Sequence, residues 1–190
     1  MIEVGTIDLG DDEGAARATV TVGMTVALAA LAMTCAALLL AYGIVRVQAP
    51  AWPPPGEVPL PTLWGLRVAA TAAALAGSWA MHVVARERRG RQVRALAAAT
   101  AAGLGFLVLQ AASLRALGAA GVHPGSGLAA SVVYALTAFH GLHALVAVLL
   151  SLALLVARRT ARPGRVLAVV AFWHLVTIVW LVVFVAVFLA

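Results

Sequence analysis

A chain of 190 residues that is 64% apolar and 11% charged, with mean hydropathy +1.04, is not an ordinary water-soluble domain, whose charged share is about 25%. Its net charge of +6 comes from thirteen arginines with no lysine; in so apolar a chain this points to lipid head groups and membrane orientation rather than to nucleic acid. The single cysteine, Cys35, excludes an internal disulfide and a cysteine metal cluster.

In chain order, residues 1–20 are polar and acidic, with Glu3, Asp8, Asp11, Asp12 and Glu13 opposed only by Arg17. They lack the basic start and short apolar core of a signal peptide. They read as a cytoplasmic tail, partly disordered or a docking strip for a partner, ahead of one membrane domain at 21–190. Five apolar runs follow, at about 25–46, 62–85, 95–117, 128–156 and 165–190. Each is long enough to cross a bilayer as a helix, which takes about 20 residues. In lipid only a helix satisfies its own backbone, so the predicted fold is an all-α bundle of five transmembrane helices.

The first run is rich in alanine and leucine and holds one mid-span polar residue, Thr34. It ends at Trp52-Pro53-Pro54-Pro55-Gly56, where consecutive prolines forbid a helix. Trp52 and Trp64 bracket this loop at the depth where amphipathic rings favour the bilayer interface. In the second run Arg67, Thr71, Ser78 and His82 keep close to one helical face, which should look toward protein rather than lipid. Arg67 reads as an arginine snorkelling to the outer interface, with a lipid phosphate as the other reading. The third run carries Gly103 and Gly105, which permit close helix approach, then Gln110 and Ser113. The fourth places His140 three residues before His143, and the fifth sets Trp173, Thr177, Trp180 and Phe184 on one stripe. That stripe reads as packing or lipid contact.

Arginine marks one side. The loop 86–94 holds Arg86, Arg88, Arg89, Arg91 and Arg94, and the loop 157–165 holds Arg158, Arg159, Arg162 and Arg165. The positive-inside rule puts both in the cytoplasm, and five crossings then give an N-terminus inside and a C-terminus outside. These arginines also suit contact with anionic lipid head groups.

At this point the sequence resembles a family. Phe139-His140-Gly141-Leu142-His143, Trp173-His174-Leu175-Val176-Thr177-Ile178-Val179-Trp180, the Trp52–Gly56 loop with Pro59 and Pro61, and Gly103–Phe106 followed by Gln110 are similar to signatures of subunit III of haem–copper terminal oxidases. They stand in the family's order over residues 25–190. The chain departs from the pattern at Thr177, where the family usually has Asp, at Ser113-Leu114, where it has Glu and an aromatic, and at Ala144–Ala147, where it has a Gly-rich stretch. The resemblance implies a short five-helix form that binds no haem or copper itself. It implies packing beside the catalytic subunit I, which with other subunits holds haem and copper, bound phospholipid, and support of proton uptake and turnover stability.

The four membrane-embedded histidines, His82, His140, His143 and His174, invite a metal reading. A haem needs an axial ligand over an open pocket, and zinc or copper needs three or four converging donors. No carboxylate lies inside any run, so the histidines read as neutral and hydrogen-bonded between helices, with neither a catalytic nor a metal site. His140, His143, His174 and Thr177 lie near mid-span in antiparallel neighbours, which predicts one polar contact among them.

The function read from the sequence is thus a non-catalytic accessory subunit of a bacterial terminal oxidase in the cytoplasmic membrane, in a complex that reduces oxygen to water and pumps protons. One alternative is the equivalent chain of a nitric oxide reductase. The other is a small transporter, which would normally show an internal repeat, broken helices or intramembrane charges.

Overall fold

In the computed structural model, which describes residues 9–87, 89–157 and 163–189, five long helices form a bundle. They are α1 (Leu9–Gln48), α2 (Trp64–Arg86), α3 (Arg89–Ala119), α4 (Leu128–Val156) and α5 (Pro163–Val183), the last continued by a π-helical turn, Phe184–Leu189. All five are long and apolar enough to cross a membrane, and each falls on one of the five predicted runs. Residues 1–8, Arg88, Arg158, Arg159, Arg162 and the side chain of Arg89 lie outside the described residues.

Two differences from the sequence reading stand out. Residues 9–20 continue α1 as helix; no proline interrupts them, so the helix runs on beyond the apolar stretch. At 40 residues α1 is about 60 Å long at about 1.5 Å per residue, well beyond a hydrocarbon core of about 30 Å. The end of the fifth run is π- rather than α-helical, and within that turn the Ala186 carbonyl accepts the Tyr42 hydroxyl at 3.1 Å, pinning α1 to the end of α5.

The helices α2 and α3 pack as an antiparallel hairpin, α3 lies against α4, and α5 crosses both α2 and α4. One core cluster, around Met81, Val84, Ala99, Val148 and Trp173, fills the half of the bundle nearer the arginine loops. A second, around Ala70, Phe106, Ala144, Trp180 and Phe184, fills the other half. A third closes the α3–α4 connection with Leu117, Val122, Ala130 and Val133. By contrast, only 6% of the α1 span is buried, against 33–39% for the others, so α1 packs chiefly on α5 and leaves most of its surface uncovered.

Candidate functional site

Three polar side-chain pairs join helices in the interior, and α5 supplies one partner of each, while Thr100, Ser113 and Thr137 bond carbonyls of their own helices. Trp173 donates its indole N–H to Ser151 Oγ at 2.6 Å and to the Ala147 carbonyl at 3.0 Å, both on α4. Its ring fits only because two helices carry no side chain there. A Cβ on Gly77 would come within 2.7 Å of the Trp173 ring, and one on Gly103 within 2.6 Å of both Trp173 and Val148. One turn pair further on, Trp180 donates to Thr71 Oγ1 on α2 at 3.0 Å, and Thr71 itself donates to the Arg67 carbonyl. Trp180 is fully buried, with Phe106 and His140 ring centroids at 5.1 and 5.2 Å.

The predicted contact among His140, His143, His174 and Thr177 is divided by the structure. His174 Nδ1 lies 2.7 Å from Ser78 Oγ on α2, and its ring is 6.4 Å from that of His82. His140 is held between Phe106 and Trp180, His143 bonds the Phe139 carbonyl of its own helix, and Thr177 is buried on the α5 stripe. The reason is helical geometry. Successive residues turn by about 100°, so when Trp173 faces α4 the next residue, His174, must face another neighbour, which is α2.

Other assignments change for similar reasons. Trp173 and Trp180, proposed for lipid or interface contact, are core residues, because the whole stripe of Trp173, Thr177, Trp180 and Phe184 is buried. Arg67 is 7% exposed instead of snorkelling freely; its guanidinium sits 3.9 Å over the Phe188 ring and donates to the Pro61 carbonyl. Gly103 is a close-packing glycine as predicted, whereas a Cβ on Gly105 would meet nothing within 4 Å. Gln110 is buried. The stripe Arg67, Thr71, Ser78 and His82 does face protein, and His82 stacks on Trp79, itself 70% exposed.

At the loop ends, Trp52 meets Tyr42 edge-on at 5.8 Å and lies under Arg46, while Trp64 is half-exposed against Phe184. Arg86 is exposed, and Arg91 pairs with Glu87 at 3.2 Å. Sequence reasoning missed Glu57. From the proline-rich loop its carboxylate accepts the backbone N–H groups of Leu128 at 2.6 Å and Ala129 at 3.0 Å, capping α4 from outside. The signal was negative: Gly127 stands at the N-cap of α4 and has no side chain to do this. Ser151, Gly77 and Tyr42 were missed as well. A buried indole N–H requires a partner, which is the clue that leads to Ser151.

Among the described residues no three histidine, cysteine or acidic side chains converge on a point where a metal could be held. The contacts between Ser78 and His174, Ser151 and Trp173, and Thr71 and Trp180 fix helices against one another.

Comparison with known proteins agrees with the motifs. The family model for cytochrome c oxidase subunit III matches residues 9–190. A cytochrome c oxidase subunit 3 from Synechocystis sp. is 33% identical over 168 residues, spanning 80% of this chain and 67% of the relative.

Proposed function

Because this chain belongs to the cytochrome c oxidase subunit III family, we propose that it is the accessory, non-catalytic subunit of a bacterial oxygen-reducing oxidase, bound beside the catalytic subunit that carries haem and copper. Its role is to hold the assembly and its phospholipids in place and to sustain turnover. The observation that carries this reading is that three polar side-chain contacts join one helix to another: Ser78 with His174, Ser151 with Trp173, Thr71 with Trp180. Groups committed to fixing helices are poorly placed for proton or electron traffic. The uncovered surface of α1 supports a bundle that is completed by lipid or by another subunit.

In this proposal the chain lies in the cytoplasmic membrane with its N-terminus and both arginine loops inside and its C-terminus outside. Arg86 and Arg91 face anionic head groups on that side. Trp52 and Trp64 mark the opposite interface. Affinity purification through a tag on this chain tests the assembly. The proposal expects a haem-bearing, oxygen-consuming catalytic subunit to co-purify. Recovery with a nitric oxide-reducing haem protein, or with no haem protein from mildly solubilised membranes, would overturn it.

A further inference from the structure

A cavity of about 10 Å³ lies where three helices meet, between Leu31 and Cys35 of α1, His140 and His143 of α4, and Val176 and Val179 of α5. His140 is 3% exposed, with its ring against those of Phe106 and Trp180, yet among the described residues no hydrogen bond reaches its imidazole nitrogens. Among the described residues no fully enclosed side-chain nitrogen or oxygen lacks a partner, so the unpaired polar edge of His140 keeps a sliver of open surface, and the cavity is the space its ring lines. On the same wall, His143 Nδ1 lies 2.8 Å from the Phe139 carbonyl. A carbonyl only accepts, so Nδ1 carries the hydrogen, and a neutral ring then has Nε2 as an acceptor.

We propose that this cavity is a binding site for a single water molecule that donates to His143 Nε2 and makes a second hydrogen bond with His140, joining the two rings beneath α1. Its size is that of one water, for which a space of roughly 10 Å³ is the lower bound. A water also needs at least two polar partners, and the two imidazoles supply them, with the Cys35 thiol as a third. A cation is a poor occupant. No carboxylate lines the space to balance it, and an uncompensated charge at this depth is costly. The bound water satisfies a histidine that the helices themselves leave unpaired, and α1, otherwise loosely attached, forms its lid.

The test is a density map of the protein, purified with the chains that accompany it, at a resolution where ordered water is visible. A discrete peak within hydrogen-bond distance of a His140 nitrogen and of His143 Nε2 is expected, and it should vanish in His143→Phe. In ¹⁵N-histidine spectra the same variant should shift the His140 ring signal toward its unbonded position. Absence of a peak in the unmodified protein, a continuous acyl-like density through the cavity, or a peak that persists in His143→Phe would each overturn the site. Should His143→Phe fail to assemble, the map of the unmodified protein decides alone.

Discussion

Glu57 and Leu128 are 71 residues apart in sequence and 2.6 Å apart in the structure, carboxylate oxygen to backbone nitrogen. The first N–H groups of α4 have no partner in their own helix, and the helix dipole favours a negative charge beside them. The loop that follows α1 is thereby fastened to the start of α4. Replacing Glu57 with Ala should cost about 0.5–2 kcal/mol, the usual range for a lost N-cap. Glu57→Gln, which keeps an acceptor and loses the charge, should fall between. Thermal unfolding in detergent, together with protease nicking of the loop at 49–63, measures both effects. Equal stability of all three proteins would mean that the latch contributes nothing.

Two glycines of α3 should respond differently to the same change. Gly103→Ala forces Trp173 or Val148 to move, and overpacking of this kind costs about 1–3 kcal/mol. Gly105→Ala meets open space and should be neutral or slightly stabilising, since alanine favours the helix. Melting temperatures of the two variants give the comparison directly, and a larger loss at Gly105 would contradict the packing described.

The two buried indoles should also differ. Ser151→Ala leaves Trp173 its bond to the Ala147 carbonyl, so the loss should stay near about 0.5–1.5 kcal/mol. Thr71→Val removes the hydroxyl to which Trp180 donates, and a buried donor left unpaired costs about 1–3 kcal/mol. Denaturation of both variants in the same detergent should rank Thr71→Val as the more damaging.

A double-mutant cycle on Ser78→Ala and His174→Phe should return a coupling near about 0.6 kcal/mol, the average for interhelical hydrogen bonds in membrane bundles. The same cycle on His143 and His174 should return none, because His143 bonds its own helix while His174 bonds α2. Coupling between those two histidines would restore the single mid-membrane contact that sequence alone suggested.

The helices were legible because their signal is dense. About 20 predominantly apolar residues leave one solution in lipid, a helix, and prolines at 53–55 mark where the first run stops. The inward face of α2 was legible too, since Arg67, Thr71, Ser78 and His82 share it. Partner choice was not. Position along a span gave the depth of His174 but not its azimuth, and about 100° of rotation separates a neighbour on α4 from one on α2. The stripe of Trp173 and Trp180 read as packing or lipid contact alike, because the space that admits Trp173 to the core depends on Gly77 and Gly103 in two other helices. Glu57 had only the negative signal of Gly127 to point to it, because its partner is backbone and backbone leaves no mark on composition.

A chain that serves an oxidase without holding a redox centre carries no haem of its own. The decisive measurement is the haem absorption spectrum, recorded for the complex, for the complex depleted of this chain and for the isolated chain. Depletion should leave the spectrum unchanged while activity decays faster during turnover, and the isolated chain should show no Soret band. A Soret band that travels with the isolated chain and disappears in His140→Ala would contradict that role.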